Sequence, residues 1–195
     1  MKIIELETPR LLLRMWQEKD KLPFTLMNSH PEVMRYFPSV LSEQQSTEML
    51  ATIIDKFSQQ GGWGLWAVEL KSTNEFIGFI GLNTPAKTLP FSPCIEIGWR
   101  LLPEFWHQGL ATEGAKAVIQ LAFEQLQIAE LVAFTAVPNT PSELVMKRLG
   151  MIKQPNNFYH PALPDGHWLQ EHVLYRITAH DWLLANINPW CFDKF

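Results

Sequence analysis

Two short stretches hold the residues best suited to chemistry. In the first, residues 103–123, a loop carrying Trp106, His107, Gln108 and Gly109 runs straight into a helical pattern beginning Leu110, Ala111, Thr112, Glu113, Gly114, Ala115. The first backbone N–H groups of a helix lack intrahelical partners, and the aligned peptide dipoles put about half a positive charge there. A phosphate bound at that end satisfies both conditions. Gly109 and Ala111 keep bulk away from the turn, so that anion oxygens could reach successive N–H groups. The small residues at 114, 115 and 117 would equally let the helix lie close to a sheet, and from this loop alone packing and anion binding both stand as explanations. No Gly-Lys-Ser/Thr follows and no G-x-G-x-x-G is present, which removes the P-loop and the dinucleotide fingerprint.

The second stretch is CIEIGWRLL, residues 94–102, where Glu96 interrupts an otherwise apolar run. An unpaired carboxylate there would be costly, so Glu96 is a candidate base or acceptor-binding group, with solvent exposure or a structural pair with an arginine as the alternatives. His160, His167 and His172 have a spacing that invites a zinc site, but no cysteine or carboxylate completes a ligand set, and no metal is expected. Cys94 and Cys191 lie far apart, and neither is placed by a motif as a nucleophile.

These groups need a scaffold. Arg10 to Trp16 predicts a strand introduced by Thr8-Pro9. Residues 18–28 and 43–59 show helical spacing, the latter with Ser42 as N-cap, and Pro31 predicts a short helix between them through Tyr36. Residues 63–70 and 75–83 are apolar runs separated by Lys71-Ser72-Thr73-Asn74, the composition of a hairpin turn. Residues 94–102 form a third such run, and the 103–123 stretch then gives a helix of about sixteen residues. A strand at 131–137, a helix at 142–150 and extended segments near 151–159 and 168–178 follow. Strands with a strand-helix-strand-helix inset predict an α/β or α+β mixed sheet.

With 195 residues and 47% hydrophobic side chains, the chain has material for one domain with a real core. No repeat or linker tract divides it, so a single domain over 1–195 is expected, its core about 6–183, with an apolar tail at 184–195 that packs rather than floats. Sixteen basic against twenty acidic residues, without a basic run, argue against nucleic acid. No secretory signal and no apolar stretch of the ~20 residues that cross a bilayer is visible, so a soluble protein of the reducing cytoplasm is the expectation.

The ordered set EIGWRL (96–101), PEFWHQGLATEG (103–114) and VPNTPSELVMKRLGM (137–151) resembles the GNAT superfamily of acetyl-CoA-dependent N-acetyltransferases. ETPRLLLR (7–14) and HVLYRITAHDW (172–182) are similar to the ends of its Rim-type branch, which acetylates amino termini of ribosomal proteins. The resemblance covers nearly the whole chain, about 6–183. It implies a mixed, mostly antiparallel sheet of about seven strands flanked by helices, with a splayed central strand pair. It also implies acetyl-CoA as cosubstrate, with no metal.

The family's pyrophosphate loop, Arg/Gln-x-x-Gly-x-Gly/Ala, falls on Trp106 to Ala111, so His107, Gln108, Gly109, Leu110, Ala111 and Thr112 are the implied cofactor loop. Trp106 departs from Arg/Gln, and His107 from a frequent Gly; His107 either donates to the pyrophosphate or faces solvent. Backbone of Trp99, Arg100, Leu101 and Leu102 is implied to pair with the pantetheine arm. Asn139 is implied to hold that arm, or is simply a turn residue beside Pro138. Glu96 stands as the candidate base from its place in the apolar strand and Ser142 as a helix cap, and because the resemblance puts the family's frequent acid tyrosine at Met146, Ser142 is also the candidate acid.

The acceptor pocket is expected between loops 28–40 and 156–168, with Tyr36, Trp63, Tyr159 and Trp168 on its walls, unless these aromatics are core residues. The implied function is direct acetyl transfer to a primary amine, foremost a protein or peptide N-terminus. A small-molecule amine acceptor, or an acyl-CoA-binding sensor that has lost transfer, remain open, as do monomer and homodimer.

Overall fold

The strands form where apolar runs are long enough to be covered on both faces. A computed structural model describes residues 3–85 and 89–187. In chain order the elements are β1 (Leu6–Glu7), β2 (Leu11–Arg14), α1 (Lys21–Ser29), α2 (Glu43–Gln59), β3 (Leu65–Leu70), β4 (Glu75–Asn83) and β5 (Glu96–Leu101). Then come α3 (Leu110–Glu124), β6 (Glu130–Ala136), α4 (Thr140–Arg148), β7 (Ile152–Lys153), β8 (Phe158–Tyr159), β9 (Glu171–Thr178) and α5 (Ala179–Ile187).

The strands make one nine-stranded sheet in the order β1-β2-β3-β4-β5-β6-β9-β7, with β8 also on β9. Every pairing is antiparallel except β5 with β6. The strand count exceeds the expected seven because β1, two residues long, leaves no periodic signal, and the extended segment expected near 151–159 divides into β7 and β8.

One face of the sheet carries Trp66, Val68, Ile80, Leu82 and Ile97 against α3; the other carries Ala67, Phe76 and Phe79 against α1 and α2. β4 is buried along nearly its whole length because helices cover both of its faces. The pairing of β3 with β4 slips between Val68 and Glu69, passing over Ile77. That bulge needs Gly78, whose φ is 142° and where a Cβ would stand 2.1 Å from the Arg100 carbonyl oxygen.

The helix ends follow local chemistry. Ser42 caps α2 by accepting from Gln45 N while the Gln45 side chain accepts from Ser42 N, a reciprocal pair. Ahead of α1, the buried Arg14 guanidinium is held by Asp20 at 2.7 Å and Glu69 at 2.8 Å, pinning β2, β3 and the entry to α1 together. The helix expected from Pro31 to Tyr36 is instead a chain of turns. Met34 N bonds four residues back to His30, but Arg35 N and Phe37 N bond only three back, and Pro38 disfavours helical backbone at Phe37. A fifth helix continues from β9, unforeseen because it straddles the expected core boundary at 183 and runs into the expected tail. Residues 188–195, with Trp190, Cys191 and Phe195 of the expected packed tail, lie outside the described residues. Among the described residues no helix is long and apolar enough to cross a membrane.

The small residues of α3 have a packing role. A Cβ on Gly114 would sit 2.5 Å from Ile80 Cδ1, so glycine sets how closely the helix approaches β4. Gly114→Leu should therefore lower stability by about 2 kcal/mol, the usual cost of overpacking, read as a fall in the urea midpoint with the slope unchanged.

Candidate active site

β5 and β6 meet at a single register pair, Glu96 with Val132, where Val132 N donates to the Ile95 carbonyl at 2.9 Å. Beyond it they part. A cleft of about 650 Å³ opens between them, closed at its ends by the first turns of α3 and α4 and roofed by the 32–38 turns and the 160–163 loop.

The register decides which amides of β5 face that cleft. Leu102 N donates to the Ile77 carbonyl of β4 at 2.9 Å, and alternation turns the N–H groups of Arg100 and Gly98 the same way. The N–H groups of Trp99 and Leu101 are left on the open side. Of the four residues expected to offer backbone to a bound arm, Trp99 and Leu101 are so oriented, and Arg100 and Leu102 are not. The Leu101 carbonyl accepts from the Trp106 indole N–H at 2.7 Å, tying the loop before α3 to the diverging strand.

That loop turns sharply. His107 has φ 59° and Gly109 φ 75°, both left-handed, a conformation that costs about 1–2 kcal/mol for a residue with a Cβ and little for glycine. Gly109 is the N-cap of α3 and provides no side chain to cap it; Glu113 N is the amide that closes on the Gly109 carbonyl, at 2.9 Å. The N–H groups of Leu110, Ala111 and Thr112, all lining the cleft, thus begin the helix without a capping side chain. Behind the loop, Glu113 accepts from Thr8 Oγ1 and Arg10 Nε, both at 2.6 Å, and Arg10 Nη1 donates to the Gln108 carbonyl at 3.0 Å. Burial alone would raise the Glu113 carboxyl, but these bonds outweigh it and hold it below its ordinary range. The Gln108 side chain turns back to the Glu104 carbonyl at 2.8 Å and does not line the cleft.

Glu96 lies at the root of the cleft. Asn83 Nδ2 donates to its carboxylate at 3.1 Å, and Lys56 Nζ donates to Asn83 Oδ1 at 2.7 Å. Enclosure pushes the carboxyl up to about 7, partly offset by the Asn83 bond and the Lys56 charge. Neither alternative from the sequence applies: Glu96 has no arginine partner among the described residues and does not project into open solvent.

On the opposite wall, Asn139, Ser142 and Met146 line the cleft. Asn139 caps α4, accepting from Ser142 N at 3.4 Å, and donates to Thr135 Oγ1 at 2.8 Å. The cap expected of Ser142 falls on Asn139 because the helix already starts at Thr140. Cys94 is half-buried with its thiol raised by burial, which does not activate it.

Of the four aromatics expected on the acceptor walls, only Tyr36 lines the cleft. Trp63 packs against the core under α3, while Tyr159 and Trp168 are 67% and 59% exposed. The walls are Phe37, Phe134, His160 and His172 instead. The two imidazoles stand 5.0 Å apart and burial draws both below the ordinary histidine range. His172 Nδ1 lies 3.0 Å from the Gln170 carbonyl, and among the described residues no group of three or more potential ligands could hold a metal.

Comparison with known proteins agrees with this geometry. The family model described as acetyltransferase (GNAT) domain matches residues 10–152. The FsC-acetyl coenzyme A-N(2)-transacetylase of Aspergillus fumigatus is 30% identical over 167 residues, covering 82% of this chain and 70% of that protein. Among solved structures, the ribosomal-protein-S5-alanine acetyltransferase of Vibrio fischeri shares the fold with TM-score 0.71 at 17% identity, over 92% of this chain and 98% of its own. The spermidine N-acetyltransferase of Vibrio cholerae, solved with CoA and spermine, does so with TM-score 0.69 at 17% identity, over 90% of this chain and 99% of its own.

The environment of Glu96 has a consequence for stability. A glutamate that titrates near 4.5 when unfolded and near 7 when folded binds its proton more tightly in the native state. Its contribution is full below the unfolded value and is lost as pH rises through about 7. Thermal melts from pH 4 to pH 9 should show a decline over that window in the native protein, and Glu96→Gln should remove this part of the decline.

Proposed function

The chain belongs to the acetyltransferase (GNAT) domain family, whose model matches residues 10–152, and on that premise we propose that it transfers acetyl from acetyl-CoA to the α-amine of a protein or peptide. The observation that carries this proposal is the convergence in one cleft of an uncapped helix start, the open edge of β5 and the enclosed carboxylate of Glu96.

The residues present fit acetyl-CoA. The N–H groups of Leu110, Ala111 and Thr112 suit a pyrophosphate, with Gly109 giving the turn that aims them. His107 lines the same end and is available as a further donor. The cosubstrate supplies an activated acetyl thioester. Against its carbonyl oxygen, the Trp99 N–H on the open edge of β5 is a fixed dipole that needs no reorganisation as negative charge develops. Trp106 keeps that edge and the phosphate end in register through its bond to Leu101. Asn139 contributes by fixing the start of α4, since both ends of its amide are engaged within the protein.

Glu96 takes the proton released as the amine forms its bond to carbon. The preference for an α-amine rests on proton affinity. With reference values near 8 and 10.4, roughly a fifth of α-amines but only about one lysine in a thousand is neutral at pH 7.4. A carboxylate titrating near 7 is matched to the first and poorly matched to the second. The Rim-type motifs and the fold shared with an S5-alanine acetyltransferase support a protein N-terminus. The relative that acts on FsC and the fold shared with a spermidine acetyltransferase keep a small-molecule amine as the second reading.

Calorimetry with acetyl-CoA, followed by thiol release across peptides with different first residues and small amines, tests the proposal; absence of binding would sink it. Glu96→Gln should lower kcat by about 10²- to 10³-fold, the range for loss of a general base, with acetyl-CoA affinity kept. The native pH–rate profile should rise through about pH 7. Trp106→Phe should weaken acetyl-CoA binding by about tenfold, the worth of one hydrogen bond, with little change in pH profile.

A further inference from the structure

Arg100, like Glu96, has its backbone N–H on β4 and its side chain in the cleft. Its N–H is turned toward β4, so it offers nothing to a bound pantetheine arm. Its side chain lines the cleft on the same face of β5 as Glu96 and Gly98, since alternate residues share a face.

The guanidinium there is incompletely partnered. Nη1 donates to Asn28 Oδ1 at 2.6 Å, and Asn28 is itself fully buried on α1. The plane stacks over Phe37 at 4.2 Å and Phe79 at 5.1 Å. Nε is enclosed with no hydrogen-bond partner, and no carboxylate pairs with the group among the described residues. The buried guanidinium of Arg14, by contrast, has both Asp20 and Glu69. A half-buried cation with an enclosed Nε and one neutral acceptor is costly, and its enclosure draws Arg100 down to about 10 with no anion to offset it.

The space beside it is shaped for a ligand. Gly98 stands between Glu96 and Arg100 on that face, and a Cβ there would meet nothing closer than Glu96 Oε1 at 4.0 Å. Glu96 and Arg100 are four residues apart on one strand, or about 13 Å between Cα atoms. Three arginines, Arg35, Arg100 and Arg148, line the cleft against two carboxylates, Glu32 and Glu96. That balance opposes a polycation.

Resting on the acetyltransferase reading above, we infer that the acceptor carries a carboxylate close to its amine, with the amine at Glu96, its body over Gly98 and the carboxylate on the Arg100 guanidinium. The carboxylate completes the donor set that Asn28 leaves open and supplies the missing countercharge. Its source is either the α-carboxylate of a free amino acid or the side chain of an acidic residue near a peptide N-terminus.

The test compares matched acceptors that differ only in that charge: amino acids with their amides, and peptides carrying Asp or Asn at the second position. Binding is measured by calorimetry with CoA bound, and turnover by thiol release. The carboxylate member should be favoured by about 10- to 100-fold, the worth of a charge-assisted bond. Whichever pair shows the preference identifies the source. In Arg100→Gln the preference should disappear, with KM for the carboxylate acceptor rising by more than kcat falls and acetyl-CoA affinity kept. Arg100→Lys, which retains the charge, should recover part of it. Equal treatment of both members by the native protein, or a preference that survives Arg100→Gln, overturns the inference while leaving the transferase intact. Lack of thiol release with every acceptor counts against the transferase instead, and the calorimetric comparison still decides the role of Arg100.

Discussion

The structure depends on one broken pairing. β5 and β6 share a single register position at Glu96 and Val132 and then diverge in the middle of a nine-stranded sheet. Unpaired backbone groups are tolerable at a sheet edge in water but costly at its centre. The protein resolves part of that cost itself, with the Trp106 indole on the Leu101 carbonyl. The rest faces a cleft, where a second polar chain can substitute for the missing strand. The bulge at Gly78, the close seat of Gly114 on Ile80 and the Arg10–Glu113–Thr8 clamp all hold the elements around this gap. The gap is thus held open by packing on one side and ion pairing on the other.

Electrostatics in the cleft run against stability. Glu96 and Arg100 have opposite charges on one face of one strand, yet they are too far apart to neutralise each other. Each is given a neutral amide partner, Asn83 or Asn28, which orients the group without quenching it. The same chain shows the stabilising alternative in Arg14, where two carboxylates close over a buried guanidinium. Holding two charged groups half-satisfied a few residues apart is a cost that packing elsewhere must offset. Such sites are where perturbed proton affinities and function coincide.

Much of the scaffold was legible in the sequence because apolar runs and caps are local signals. The β3–β4 hairpin, the Ser42 cap and the small-residue start of α3 follow from neighbouring residues alone. Where a position depends on register, the signal vanished. Tyr159 was expected on the cleft wall, but β8 pairs with β9 so that Tyr159 is turned out and Phe158 in. Trp63 went to the core and Trp168 to the surface for the same lack of a long-range cue. His160 and His172 have ligand-like spacing in the sequence, whereas their proximity to each other and to Phe134 makes them part of an aromatic wall. Trp106 departs from the family motif, and the bridge its indole makes to Leu101 is a contact that no local pattern announces. The isolation of Arg100 could not be read at all, because it consists in carboxylates that are not nearby.

Met146 is the sequence feature that most favours a protein unable to turn over, since it stands where a proton donor is frequent. The chemistry weakens that inference. An alkyl thiol with a reference value near 8.5 is a good leaving group as its anion, and needs far less protonation than an alkoxide or an amide would. What a departing thiolate does need is a positive environment at the right wall of the cleft. The first turn of α4 provides one: Thr140 and Ser142 line the cleft at the helix start, where the dipole is positive, and Asn139 fixes that end in place. Met146 lies one turn deeper and is buried, so it keeps water from the same wall. On the proposed chemistry, a helix end at the cleft wall stabilises the thiolate electrostatically and takes over what a tyrosine would do by proton transfer, leaving Glu96 as the residue on which proton movement turns.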